Sequence, residues 1–70
     1  MTHPVEVLAD PVRRAIVESL AGGERRAGAL VDEMQERFGI SQPAVSQHLK
    51  VLREAGFVHV RPEGTARVYR

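Results

Sequence analysis

Two amphipathic segments separated by only Gly39 and Ile40 constrain the fold of this chain more than any other feature. The first segment, residues 27–38, carries its apolar side chains on one narrow helical stripe, and the second, residues 41–55, carries them on one broad face. Gly39 is suited to end the first helix, and Ser41 is suited to cap the second. Two helices joined by so short a turn predict a helix-turn-helix.

A further helix is predicted upstream of this pair. Asp10 can cap it, Pro11 suits its first position, and the glycine pair beginning at Gly22 ends it. Residues 4–8, which precede Asp10, are expected to form a short helical turn. The count is therefore three to four helices before the chain changes character.

From residue 57 the hydrophobic period changes from that of a helix to the alternation of a strand. Residues 61–64 have the composition of a type I turn, so the segment 57–70 is expected to be a β-hairpin. The sequence thus predicts a mainly α fold with a small β-hairpin, a winged helix-turn-helix with a two-stranded wing. The 70 residues are expected to form one domain, 1–70.

Composition excludes several classes of protein. There is no cysteine, so neither a disulfide nor a thiolate metal site is possible. No apolar run approaches the roughly 20 residues that span a membrane, and the first residues lack the pattern of a signal peptide. A cytoplasmic protein without membrane association is expected.

Charge is distributed unevenly along the chain. Residues 1–36 contain four arginines and seven acidic residues, a net charge of −3, whereas residues 37–70 contain five arginines, one lysine and two glutamates, a net charge of +4. The two halves together give the overall charge of +1. An uneven distribution of this kind is typical of a domain that turns one side toward a polyanion.

The polar face of the 41–55 helix has the chemistry of a DNA-reading surface. Glutamine offers a donor and an acceptor to an adenine edge, serine serves in either role, and a proline ring can contact a thymine methyl. The residues expected to face bases are Gln42, Pro43, Ser46 and Gln47. The alternative interpretation is an ordinary solvated helix face, which the adjoining turn, cap and hairpin disfavour.

Basic side chains near this face are expected to contact the DNA backbone, which gives affinity without sequence information. The expected backbone residues are Ser41, Lys50 and Arg53 on the helix, with Arg61 and Arg67 on the wing. Arginines on a hairpin can also serve only to protect a strand edge from aggregation. That simpler interpretation stays open for the wing, particularly because Glu63 lies at the predicted tip.

The chain resembles a known family in four segments: LADPVRRAIVESL, GERRAGAL, FGISQPAVSQHLKVLREAGFV and VRPEGTARVYR. These segments are similar to the ArsR-type winged-helix repressors of bacteria and archaea. The resemblance implies a homodimer that binds an inverted repeat in double-stranded DNA, represses its own operon and is released by a ligand. It also implies that Gln42, Pro43, Ser46 and Gln47 face bases while Lys50 and the wing arginines face the backbone.

Three features depart from the family pattern. The lack of cysteine excludes sensing of arsenic or cadmium through thiolates. The segment ALVDEMQERFG is about one helical turn longer than the commonest pattern. The 70 residues do not include the family's usual C-terminal helix, which contributes to dimerisation, so the chain is expected to be either a fragment or a minimal member that dimerises through its N-terminal helices or not at all. A DNA binder that senses no ligand is a further alternative.

Enzyme and metal functions are not expected. Ser46 and His48 point about 200° apart on a helix and cannot form a nucleophile–base pair. The three histidines, His3, His48 and His59, fall on different elements, and His48 lies within an apolar face, where a packing role is expected rather than metal ligation. No cofactor is implied. The remaining alternative is a winged helix used for protein–protein contact, which would need exposed apolar anchors on its recognition face.

Overall fold

The computed structural model describes residues 4–70 and contains four helices and three strands. Its central motif is a helix-turn-helix, which two further helices precede and a hairpin follows. The predicted winged helix-turn-helix is therefore confirmed. No helix in this range is long and apolar enough to cross a membrane. The elements in chain order are α1 (Pro4–Ala9), α2 (Pro11–Ala21), β1 (Arg25–Arg26), α3 (Ala27–Phe38), α4 (Gln42–Glu54), β2 (Val60–Glu63) and β3 (Ala66–Tyr69).

Side-chain caps start two of the helices where the sequence predicts them. The Asp10 carboxylate accepts hydrogen bonds from the backbone N–H groups of Val12 and Arg13, at 2.8 and 3.1 Å. Ser41 caps α4 by accepting from the Ala44 N–H at 3.3 Å. These acceptors satisfy donors that a helix cannot satisfy internally at its first turn.

Gly39 ends α3 in the left-handed conformation, with φ of 64°. Only glycine adopts this conformation without steric cost, so the chain reverses at this point and α4 begins three residues later. The turn brings the apolar faces of α3 and α4 against α2. The residues of this single core are Val7, Val12, Ala15, Ile16, Leu30, Met34, Val45, Leu49, Leu52, Val58 and Tyr69.

The sheet has three antiparallel strands in the order β1-β3-β2, one strand more than the predicted two-stranded wing. The short strand β1 pairs with the end of β3, with Arg25 opposite Tyr69 and Arg26 opposite Val68. Two residues are too few to show a strand period, so the sequence pattern gave no sign of β1. This strand joins the wing to the start of α3.

The hairpin turn lies two residues later than predicted. Gly64 and Thr65 form the loop, and Gly64 has φ of 62°, the conformation that two-residue hairpin loops require. Pro62 therefore lies inside β2, opposite Arg67, rather than in the turn. Proline is tolerated there because β2 is an edge strand with one unpaired side.

Candidate nucleic-acid interface

The polar face of α4 is exposed along its length, because the apolar face of the same helix is held in the core. Val45, Leu49 and Leu52 are buried. The polar residues occupy the remaining arc and extend into solvent. Every side chain expected to contact bases or backbone is exposed: Ser41, Gln42, Pro43, Ser46, Gln47, Lys50, Arg53, Arg61 and Arg67.

A concave groove of about 450 Å³ is bordered by α4, by residues 27–35 of α3 and by β3. Its lining combines helix and wing residues that are far apart in sequence. The lining residues are Ala27, Gly28, Val31, Asp32, Gln35, Gln42, Ser46, Leu49, Lys50, Arg53, Arg67 and Tyr69. Five of the nine predicted contact residues are therefore brought together in this groove. Ser41, Pro43, Gln47 and Arg61 are exposed but do not line it.

Three cationic side chains give the groove its charge. Lys50 and Arg53 come from α4, and Arg67 comes from β3. Within residues 4–70, none of the three forms an ion pair. The carboxylate of Asp32 lines the same groove. The three cations outnumber this one carboxylate, so the groove keeps a net positive charge.

The two faces of the sheet carry different arginines. Residues directly opposite one another in an antiparallel pair share a face, and alternate residues of a strand do as well. Arg67 consequently lies with Tyr69 on the inner face, which packs on the core and borders the groove. Arg61, opposite Val68, lies on the outer face.

Ion pairs engage Arg61 on that outer face. Its guanidinium donates to Glu24 at 3.2 Å and to Glu63 at 3.0 Å, and Glu63 also accepts from Arg26 at 3.3 Å. The partners of Arg61 are about half exposed, at 48% and 47%, so each pair contributes little stability. They nevertheless place two acidic groups beside an arginine expected to contact DNA.

The sequence pattern did not predict that α3 forms one wall of the groove. Asp32 and Gln35 line the groove together with Gly28, whose absent side chain leaves open space. By helical spacing, Asp32 lies off the apolar stripe of α3 together with Glu33 and Glu36, which by itself indicates only a solvated acidic face. The position of α3 relative to α4 depends on the angle of the helix pair, which residue spacing does not give.

The histidines do not converge. His48 is half buried and contacts Arg13, in keeping with the expected packing role. The His59 N–H donates to the Arg70 carbonyl at 2.9 Å, and the Arg70 N–H donates to the His59 carbonyl at 3.0 Å. His59 is exposed. His3 lies outside the described residues. No group of three or more potential metal-ligating side chains occurs among residues 4–70.

The sequence matches a family model described as a helix-turn-helix domain over residues 8–61. An HTH-type transcriptional regulator of Mycobacterium tuberculosis is 53% identical over 91% of this chain and 56% of its own length. The transcriptional repressor SdpR of Bacillus subtilis is 34% identical over 91% of this chain and 67% of its own length. The chain thus spans from about half to two thirds of these two relatives.

Solved structures that this fold resembles are also named as transcriptional regulators. A possible transcriptional regulator for arsenical resistance superposes with a TM-score of 0.81 at 41% identity, over all of this chain and 69% of that one. The repressor BigR from Xylella fastidiosa gives a TM-score of 0.76 at 39% identity, over 94% and 63%. A structure named as an ArsR family transcriptional regulator gives 0.74 at 28% identity, over 91% and 66%. On its sequence and its fold, the chain belongs to the ArsR family of winged helix-turn-helix transcriptional regulators.

Proposed function

We propose that this chain is the DNA-binding part of a transcriptional repressor that recognises a specific sequence in double-stranded DNA. The observation that carries the proposal is the exposed polar face of α4, bordered by a groove whose three cations have no partner in the described chain. An α-helix of this size fits the major groove of B-form DNA. We propose a non-enzymatic role in the cytoplasm, because a bacterial regulator meets its operator there.

Base reading is assigned to the N-terminal half of α4, which helix-turn-helix proteins insert into the major groove. Gln42 and Gln47 can each present a donor and an acceptor to an adenine edge, and Ser46 can serve in either role. Pro43 contributes an apolar contact with a thymine methyl. All four belong to exposed positions of one helix, so they can approach one DNA segment together.

Backbone contact is assigned to Ser41 and to the cationic residues. Lys50, Arg53 and Arg67 border one groove, so a phosphate strand passing along it meets all three charges. Arg61 completes the proposed set from the outer face of the wing. To reach a phosphate it must leave the carboxylates that now hold it, so its contribution is expected to be smaller.

We also propose that two copies bind an inverted repeat as a homodimer. Val5 is 70% exposed and forms an apolar surface with Leu8, Ala9, Phe57 and the stem of Arg14. This surface shares no residue with the groove beside α4, so a second copy can cover it while both grooves remain open. The name of SdpR gives repression as the role of that relative, and we propose that occupation of an operator by this chain has the same effect.

Selection from a random duplex pool tests the proposal. The purified chain is incubated with the pool, bound duplexes are recovered, and the survivors are sequenced over several rounds. Enrichment of an inverted repeat with half-sites about one helical turn apart is the expected result. Enrichment of a single half-site supports DNA reading but contradicts the homodimer. A folded sample that enriches nothing contradicts the proposed function.

The alternative function, a protein–protein module, is disfavoured by one observation. Such a module needs apolar anchors on its recognition surface. Val5 is the one large hydrophobic residue among residues 4–70 whose side chain is exposed. It lies on α1 rather than on α4. The α4 face instead presents amides, hydroxyls and cations.

A further inference from the structure

The side chain of Arg13 joins α1 to α4. Its Nε donates to the Val7 carbonyl at 2.7 Å, and one terminal nitrogen donates to the Glu6 carbonyl at 3.4 Å. Its other terminal nitrogen lies 3.4 Å from Nδ1 of His48. The first two contacts satisfy carbonyls near the C-terminal end of α1, where a helix leaves acceptors unpaired and favours a cation.

The planar shape of the guanidinium makes this a directional link. Its N–H groups point in fixed directions within one plane, so two contacts on α1 determine where the third nitrogen points. That nitrogen is directed at His48. With six residues α1 is too short to be stable alone, and it is held by Arg13 together with the buried Val7. The position of α1 and the setting of His48 are therefore connected through one side chain.

Both neighbours of His48 favour the same form of its ring. Arginine is only a donor, so Nδ1 must accept and carry no hydrogen, which places the hydrogen of the neutral ring on Nε2. Nε2 lies 4.0 Å from Oδ1 of Asp10, the carboxylate that caps α2. The Arg13 contact therefore favours the Nε2–H tautomer, and the Asp10 carboxylate, too distant from Nε2 for a hydrogen bond, adds a weaker electrostatic preference in the same direction.

His48 directly follows Gln47 on α4, and its ring is on the buried side of the helix while Gln47 is exposed. The buried Val45, Leu49 and Leu52 set the rotation of α4 about its axis, and the His48 ring adds a contact with Arg13 directly beside Gln47. We propose that Arg13 is a positioning residue for sequence recognition, holding α4 in its reading orientation through His48. The inference rests on the proposed function of α4.

The contact itself is tested without DNA. Nitrogen-15 NMR of the whole chain, at a pH where the His48 ring is neutral, is expected to show the Nε2–H tautomer as the dominant form. Arg13→Lys is expected to yield a mixture of tautomers, because a single ammonium cannot satisfy the α1 carbonyls and reach His48 together. A wild-type spectrum with Nδ1–H dominant, or a variant spectrum identical to wild type, overturns the inference.

The consequence for recognition is tested on the sequence that the pool selection yields. Arg13→Lys is expected to weaken binding to that sequence about tenfold, the equivalent of one good base contact. Binding to random duplex should stay within twofold. Arg37→Ala, which removes an arginine that pairs with Glu33 on α3, is the control and should not lower the ratio of specific to random affinity. Circular dichroism confirms that each variant is folded at the assay temperature.

A double-variant cycle separates positioning from general destabilisation. His48→Phe keeps a ring but removes the acceptor, and it is expected to cause the same tenfold loss as Arg13→Lys. The two changes together should lose no more than either alone, since both break one link. Multiplied losses of about a hundredfold overturn the inference. If the wild-type chain selects no sequence, the proposed function fails, whereas the NMR experiment still decides the contact.

Discussion

The inner and outer faces of the three-stranded sheet present the same kinds of residue to different surroundings. On the inner face, Arg67 borders the groove beside α4 and has no ion-pair partner among residues 4–70. On the outer face, Arg61 is held between Glu24 and Glu63. The hairpin register alone produces this difference, since it places Arg67 opposite Pro62 and Arg61 opposite Val68.

This contrast shows that a basic residue on a wing is not by itself a DNA contact. An arginine beside other unpaired cations adds to a field that attracts phosphates, whereas one already paired must give up its partners first. The inner face also packs on the core, so changes there affect stability and binding together. The two faces are therefore expected to respond differently to equivalent substitutions.

Truncation of the aromatic residue on the inner face is expected to have the largest effect. Tyr69→Ala removes a ring that is 7% exposed within the core, and should lower the free energy of unfolding by about 3–5 kcal/mol. Val68→Ala removes a smaller side chain, which is 5% exposed on the outer face, and should cost about 1–2 kcal/mol. Urea denaturation of both variants measures the difference. Equal losses would show that the two faces are equally important for stability.

Loss of a base-reading side chain is expected to have the next largest effect. Gln42→Ala and Gln47→Ala should each cost about 1–3 kcal/mol of binding free energy at the selected site and little on random duplex. Gln35→Ala removes the same kind of side chain from the α3 wall of the groove that Gln42 also lines; it is the matched control and should not lower the ratio of specific to random affinity. Fluorescence anisotropy with both duplexes measures these affinities. Equal losses on the two duplexes would remove the glutamines from base reading.

The two wing arginines provide the direct test of the comparison. Arg67→Ala should weaken binding to any duplex by about 1 kcal/mol, as expected for one exposed ion pair. It should also reduce the slope of log affinity against log salt by about one unit, as should Lys50→Ala. Arg61→Ala should leave that slope nearly unchanged. A slope reduced equally by both arginine variants would show that Arg61 leaves its carboxylates to bind phosphate.

Local capping and turn chemistry explains why the helices could be predicted from sequence. Asp10, Gly39 and Ser41 act on backbone groups within a few residues, so their effect is visible in the chain itself. Helical spacing is likewise local, and it predicted that the base-reading candidates lie on an exposed face. It also predicted the hairpin, although the turn lies at Gly64 and Thr65, two residues after its expected position.

Properties that depend on long-range register could not be predicted in this way. The strand β1 exists because Arg25 and Arg26 meet Tyr69 and Val68, more than forty residues away, and nothing in two residues signals it. The register of the β2–β3 hairpin decides which wing arginine borders the groove. The angle between α3 and α4 likewise placed Asp32 in the groove, although its sequence pattern suggested only a solvated acidic position.

Substitution of Asp32 is expected to have the smallest effect on DNA affinity. Unlike the other substitutions, it should strengthen binding. The Asp32 carboxylate lines the groove together with the three cations but pairs with none of them in the described structure. A phosphate strand in the groove is repelled by this charge. Asp32→Asn should therefore strengthen binding by a few tenths of a kcal/mol, on specific and random duplex alike. The gain should diminish as salt is raised, because exposed charges are screened.

Glu36→Gln provides the matched control for this gain. It lies one turn further along α3, is exposed, does not line the groove, and changes the net charge by the same amount. If the groove determines the field that DNA meets, only Asp32→Asn improves affinity at low salt. Equal gains from both variants would mean that total charge governs binding. The distinction between unpaired inner-face and paired outer-face charges would then have little consequence for DNA.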